Sequence, residues 1–365
     1  GGAFIVWEDG RVDPTKMDIY AQKINSSGDI LWDTAGVAVT TDTGDQQDQL
    51  NPRLVGDNSG GTWIVWDDAR DGGFPHVDIY TQHINSTGTA QLDAGGRLIC
   101  DDAGEQFSPL IKYSDGNAFI AWGDGDKEVG ANSITLQILN DTGTEQLPIN
   151  GMDVYGGICG DSQNIFLLEG SSNSVAIWED SRNSATGIYM QTISNNGSFG
   201  LEDNGVALTT YSGAGQLKLH AVKDPNEDEV GAVWQENRMG FVYQAYAQIM
   251  QTDGTQLGDP AGILLSDNGM SDQDYMKISY INNGNDVEYY IGWSDGRDWL
   301  AGNGVFAQKI VAGQIQWDAG GIEVANMDGD DILMDVTENY FVFQGGPWND
   351  LNIDRKSGSA GMPRP

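Results

Sequence analysis

Short runs of alternating apolar and polar residues, closed by glycine-bearing turns, fill this chain, and no helix-length amphipathic stretch interrupts them. The clearest stretch reads as four strands. Residues Asn51 to Asp57 form strand A, and the turn Asn58 to Gly61 leads into strand B, Thr62 to Asp67, which ends at Trp66. A polar loop from Asp68 to Val77 precedes strand C, Asp78 to Asn85, with Ile79 on one face and Tyr80 and Gln82 on the other. The turn Ser86 to Gly88 then leads past Leu92, Gly95 and Gly96 to strand D, Arg97 to Cys100.

This unit recurs every 50 to 59 residues. Its marker is an apolar strand ending in Trp, an acid two places on and usually Arg two places later: VWEDGR at Val6, VWDDAR at Val65, AWGDGD at Ala121, IWEDSR at Ile177, VWQENR at Val233 and GWSDGR at Gly292. A faded copy, VFQGGP, starts at Val342. A unit of this size cannot bury its own apolar face and must stack on its neighbours. Four antiparallel strands per repeat predict an all-β fold, a β-propeller of four-stranded blades, over residues 1–355, with 356–365 as a flexible tail. The count is seven blades, the last incomplete, or six if the final strand A pairs with the opening B, C and D. A chain that opens at Gly1 inside a strand pattern, without a signal peptide or an apolar transmembrane run, reads as a mature or excised segment.

Most recurring residues have structural explanations. The tryptophans fill the space between blades. Gln22, Gln82, Gln137, Gln191, Gln248 and Gln308 recur in strand C and are expected to satisfy backbone groups between blades. Gly28, Gly88, Gly143, Gly197, Gly254 and Gly313 mark C-to-D turns that need positive φ. Cys100 and Cys159 fall 34 and 37 residues after Trp66 and Trp122, which allows a disulfide between neighbouring units or two buried thiols.

The B-to-C and D-to-A loops leave a propeller blade on one face, and here the B-to-C loops vary while the opposite turns stay monotonous. Variable loops on a repetitive scaffold place a ligand there. The candidates are the repeated charges Asp9, Arg11, Asp68, Arg70, Asp180, Arg182, Arg238, Asp295 and Arg297, with the loop aromatics Phe74, Phe241 and Trp299. The acidic D-to-A loops offer oxygen ligands for calcium at Asp42, Asp45, Asp101, Asp102, Asp328 and Asp330, although none has the EF-hand spacing. Otherwise no cofactor is expected.

Composition narrows the partners. With 54 acidic and 18 basic residues the net charge is −36, which repels nucleic acid and anionic membrane surfaces. Three histidines, His76, His83 and His220, stand at unrelated phases and form no His-centred metal site or triad. No phosphate loop, CxxC pair or HExxH motif is present, and no catalytic residue is assigned.

The pattern P-x-L-V-x-D-x-x-G-G-x-x-I-V-W-x-D-x-R, followed by D-I-Y-x-Q-x-I-N-x-x-G, resembles the propeller repeats of large secreted bacterial surface proteins. More distantly it is similar to those of archaeal surface-layer proteins and TolB-like propellers. The third copy departs, with Asp126 in place of Arg and ITLQ at Ile134 in place of I-Y-x-Q. The resemblance implies an extracellular location and a scaffold or binding role. The expectation is therefore a non-enzymatic, adhesive module at the cell surface that binds a glycan or a protein. Two alternatives stand beside it, a glycan-active hydrolase or lyase using channel carboxylates, and a subunit of a surface layer or filament.

Overall fold

The computed structural model describes residues 2–40, 48–70, 76–128, 131–159, 164–171, 173–183, 185–238, 240, 242–267, 271–297, 302–326, 331–337, 340–345 and 352–357. The chain is an all-β propeller built from consecutive antiparallel sheets, and among the described residues there is no helix. None is therefore long and apolar enough to cross a membrane.

The second sheet shows the unit. Strand A, Gln49–Gly56, pairs with strand B, Thr62–Asp68, then B with C, Asp78–Ile84, and C with D, Arg97–Cys100. The third sheet repeats this order with Gln106–Ser114, Asn117–Glu128, Ala131–Asn140 and Met152–Cys159. Strand A opens the fifth sheet at Gln216–Lys223 and the sixth at Gln273–Asn282. Seven separate sheets are present among the described residues. The first lacks strand A, and the last has three strands, Ile332–Val336, Tyr340–Gly345 and Asn352–Ser357.

By compactness the chain divides into two units. Gly1–Gln163, Ser171–Ala176 and Gln191–Gly205 make the first, and Asn164–Gly170, Ile177–Met190 and Val206–Pro365 the second. Each has cores made by face-to-face contact of successive sheets. In the first unit, Ile19, Ala21 and Val39 of one sheet close over Ile64, Trp66 and Tyr80 of the next. In the second, Val233, Ala247 and Ile249 meet Ile278, Tyr289 and Trp293. Strand B is buried along its whole length in the second sheet, as expected for a strand covered on both faces.

The predicted C-to-D glycines adopt positive φ; Gly28 stands at 85° and Gly88 at 83°. The strand C glutamines correct an expectation, because they work inside a blade. Gln82 Nε2 donates to Asp93 O at 3.0 Å and Gln82 Oε1 accepts from Leu92 N at 2.9 Å, both in the C-to-D connection of the same sheet. Gln137, with Pro148 O and Leu147 N, and Gln191, with Glu202 O and Leu201 N, do the same. The connection turns back over its own strand C and brings its backbone groups within hydrogen-bonding distance of that amide.

Candidate functional site

The Trp-acid-x-Arg motif folds into one cluster in each of the five copies that keep its arginine. Trp66 Nε1 donates to Asp68 Oδ2 at 2.8 Å, and Arg70 returns to the same carboxylate through its backbone N at 3.0 Å and its Nη2 at 2.5 Å. Arg70 Nη2 also donates to Gly95 O at 2.7 Å, clamping the turn before strand D, and its guanidinium lies 4.0 Å above the Tyr80 ring. Next to that carbonyl, Gly96 is left-handed at φ +91°, and a side chain there would overlap the Trp66 ring. The same contacts link Trp178, Asp180 and Arg182, then Trp234, Glu236 and Arg238, and finally Trp293, Asp295 and Arg297.

The candidate charges therefore occupy these clusters. Asp68, Asp180 and Asp295 have fully buried side chains, each against the arginine two residues on, so as ligand contacts they are corrected: their oxygens face no solvent. Arg70, Arg182, Arg238 and Arg297 lie over the aromatic ring of strand C. Asp9 and Arg11 are more open, at 16% and 36% side-chain exposure. The Arg11 and Trp7 hydrogen bonds hold the Asp9 carboxyl well below the usual carboxylate range. Phe74, Phe241 and Trp299 lie outside the described residues, as do the calcium candidates Asp42, Asp45, Asp328 and Asp330. Of the remaining two, Asp102 Oδ1 accepts from Asn150 Nδ2 at 2.9 Å, and Asp101 N lies 3.4 Å from Asn150 Oδ1. Cys100 is a free, buried thiol, which removes the disulfide alternative.

A second set of residues was missed in the sequence because it varies between copies. The residue directly after the tryptophan points away from it, as alternation along a strand requires, and engages an inner strand A. Glu8 Oε1 accepts from Asn51 N at 2.8 Å, Glu179 Oε1 from Leu219 N at 2.7 Å, and Ser294 Oγ from Leu333 N at 2.9 Å. Strand A bulges at these points. Asn51, Ser108, Lys218 and Tyr275, all exposed, are left-handed at φ 53°, 55°, 57° and 53°, and the ladder register shifts beside each of them.

Asn51 joins two carboxylates. Its backbone N serves Glu8, and its Nδ2 donates to Asp67 Oδ2 at 2.7 Å. Glu8 is exposed, whereas Asp67 is 6% exposed. A charge is costly there, and burial, only partly offset by the hydrogen bonds from the Asn51 side chain and the Ser108 backbone and by the Arg53 charge, pushes Asp67 up to about 7. Two acids in unlike environments, held by one asparagine, form the arrangement in the described residues best suited to acid-base chemistry.

The second unit carries a cavity of about 230 Å³ on a B-to-C loop and a D-to-A loop. Tyr189 and Tyr211 supply rings, Thr186, Thr209 and Ser212 hydroxyls, and Gln216 an amide.

No protein-family model matches the chain, and no curated protein matches it. Among solved structures, the chain is similar to an α-L-arabinofuranosidase of Fusarium graminearum in complex with arabinobiose, at 12% identity over 85% of this chain and 92% of that one, with a TM-score of 0.43. It is also similar to an α-L-arabinanase of Penicillium chrysogenum complexed with arabinobiose, at 14% identity, 88% and 96% coverage and a TM-score of 0.45. A third is an endo-arabinase from Bacteroides thetaiotaomicron, at 10% identity, 74% and 95% coverage and a TM-score of 0.35. These neighbours are named as glycan-cleaving enzymes, and the expectation of a non-enzymatic adhesive module is corrected on that finding. At such identities and TM-scores the likeness assigns no residue and no substrate to this chain.

Proposed function

We propose that the chain is a glycan-active hydrolase that works outside the cell and uses Asp67 and Glu8 as its pair of carboxylates. The observation that carries this reading is the Glu8–Asn51–Asp67 arrangement, in which a buried acid that retains its proton up to about pH 7 stands one asparagine away from an exposed carboxylate. Glycoside hydrolysis needs such a division of labour, one carboxyl to protonate the leaving oxygen and one carboxylate to act as base or nucleophile. Asp67 takes the first role and Glu8 the second, with Asn51 fixing both. The −36 charge disfavours anionic polysaccharides and favours neutral ones.

The test is turnover of a panel of neutral oligosaccharides, arabinose-containing ones included, by the purified chain. Asp67→Asn and Glu8→Gln should each lower kcat by about 10²- to 10⁴-fold. The reading fails if no member of the panel is cleaved, or if cleavage survives both substitutions.

A further inference from the structure

We propose that Asn85 and Asn140 are acceptor sites for an N-linked glycan, at the end of the blades opposite the B-to-C loops. Both stand in the acceptor pattern Asn-x-Ser/Thr with x other than Pro, as Asn85-Ser86-Thr87 and Asn140-Asp141-Thr142. Each pattern lies in the turn that leaves strand C, and the two residues after each asparagine are exposed. Two further triplets of this kind occur in the chain, Asn25-Ser26-Ser27 and Asn196-Gly197-Ser198.

The surroundings of the amide set the first two apart. Asn85 Oδ1 accepts three hydrogen bonds, from Thr87 N at 3.0 Å, Thr87 Oγ1 at 2.7 Å and Thr89 N at 3.0 Å. Asn140 Oδ1 accepts the same three, from Thr142 N at 3.0 Å, Thr142 Oγ1 at 2.7 Å and Thr144 N at 2.9 Å. The Nδ2 of each makes no hydrogen bond among the described residues and is not buried. A carboxamide nitrogen is a weak nucleophile because its lone pair is delocalised onto the oxygen. When Nδ2 gives up a proton the charge is shared with Oδ1, and donors already aimed at that oxygen stabilise it without reorganisation. In the transfer, Nδ2 attacks C1 of a sugar carried on a lipid pyrophosphate. The Nδ2–C1 bond forms, the C1–O bond to phosphate breaks, the lipid pyrophosphate departs with the bonding electrons, and the Nδ2 proton passes to a base of the transferase.

The turn itself does not require the triplet. In the fifth sheet it runs Gln251-Thr252-Asp253-Gly254-Thr255, where Gly254 N donates to Gln251 O as Gly88 N does to Asn85 O, and Asp253 Oδ1 accepts Thr255 N. It closes there with no asparagine at the first position and no hydroxyl at the third. The other two triplets lack part of the arrangement. Asn25 Nδ2 donates to Asp29 Oδ2 at 2.9 Å, and Ser27 reaches Asn25 Oδ1 through its backbone N alone. Ser198 likewise gives only its backbone N to Asn196 Oδ1. The placement of Asn85 also keeps a glycan away from the candidate acids. Asn85 follows the last residue of strand C, Ile84, whereas Asp78 at the start of that strand pairs with Asp68 beside the B-to-C loop, about 20 Å away at roughly 3.3 Å per residue.

The experiment is glycosyl transfer to the folded full chain by a purified oligosaccharyltransferase that recognises Asn-x-Ser/Thr. The donor is a lipid-pyrophosphate oligosaccharide, and a short Asn-x-Thr peptide in the same mixture is the positive control. Intact mass should rise by one oligosaccharide for each of Asn85 and Asn140, and enzymatic release of the glycans in heavy-oxygen water should convert those two residues to labelled aspartate. Asn85→Gln and Thr87→Ala should each remove the first glycan and keep the second, Asn140→Gln and Thr142→Ala should do the reverse, and Asn25 should stay unmodified. A folded chain left unmodified while the peptide is glycosylated, modification of Asn25 to the same extent as Asn85, or survival of the Asn85 glycan in Thr87→Ala would overturn the proposal.

Discussion

Asn51 Nδ2 donates to Asp67 Oδ2 at 2.7 Å from a left-handed bulge, and the same residue's backbone N reaches Glu8 in the preceding sheet. In this left-handed conformation one residue serves acids of two successive sheets.

The acid in this pair makes stability depend on pH. Asp67 titrates near 3.8 when unfolded and near 7 when folded, so the folded chain binds the proton more tightly. Stability contributed by that proton is complete below about pH 4 and is lost as the pH rises to about 7, on the order of 4 kcal/mol in all. Urea unfolding from about pH 4 to 8 should show the wild type falling relative to Asp67→Asn across this window. Parallel curves would mean that Asp67 is ionised throughout.

The buried fasteners should outweigh the exposed one. Arg70→Ala leaves the fully buried Asp68 without its cation and should cost about 3–5 kcal/mol. Arg70→Lys should recover only part of this, because a lysine cannot supply two N–H groups to Asp68, a third to Gly95 O and a planar face to Tyr80. Arg11→Ala, at the more exposed Asp9, should cost about 1 kcal/mol or less. Equilibrium denaturation of the three variants decides the order.

The tryptophans should also part ways. Trp66→Phe removes the hydrogen bond to Asp68, whereas Trp122 Nε1 has none to lose. The first substitution should therefore cost about 1–3 kcal/mol more than the second, measured by the same unfolding.

Gly321→Ala should destabilise by more than about 1 kcal/mol, since φ is +73° and the new carbon would stand 2.6 Å from the Trp293 ring. A neutral result in thermal unfolding would show that the ring has room to retreat.

The sequence carried the fold because its markers are invariant in role. Strand D at Arg97–Cys100 matches its expected bounds, and strand B at Thr62–Asp68 runs one residue past them. The candidate pair was not legible for the opposite reason. The position after the tryptophan is Glu8, Asp67, Gly123, Glu179, Gln235 and Ser294, with no common chemistry to mark it. The sequence makes Asn51 the start of a strand, and nothing in its type announces a left-handed bulge. Recurrence of the repeated charges marks what the blades share, and no single site is needed six times.

The glutamine of strand C has an evolutionary reading. Because Gln82 and its counterparts bond the C-to-D connection of their own sheet, a copied blade arrives with its outer half already secured. What a new copy must negotiate with its neighbours is the inner edge, where the residue after the tryptophan meets strand A. Drift is cheap there after duplication, and one drifting copy is enough to set two unlike acids beside a single asparagine.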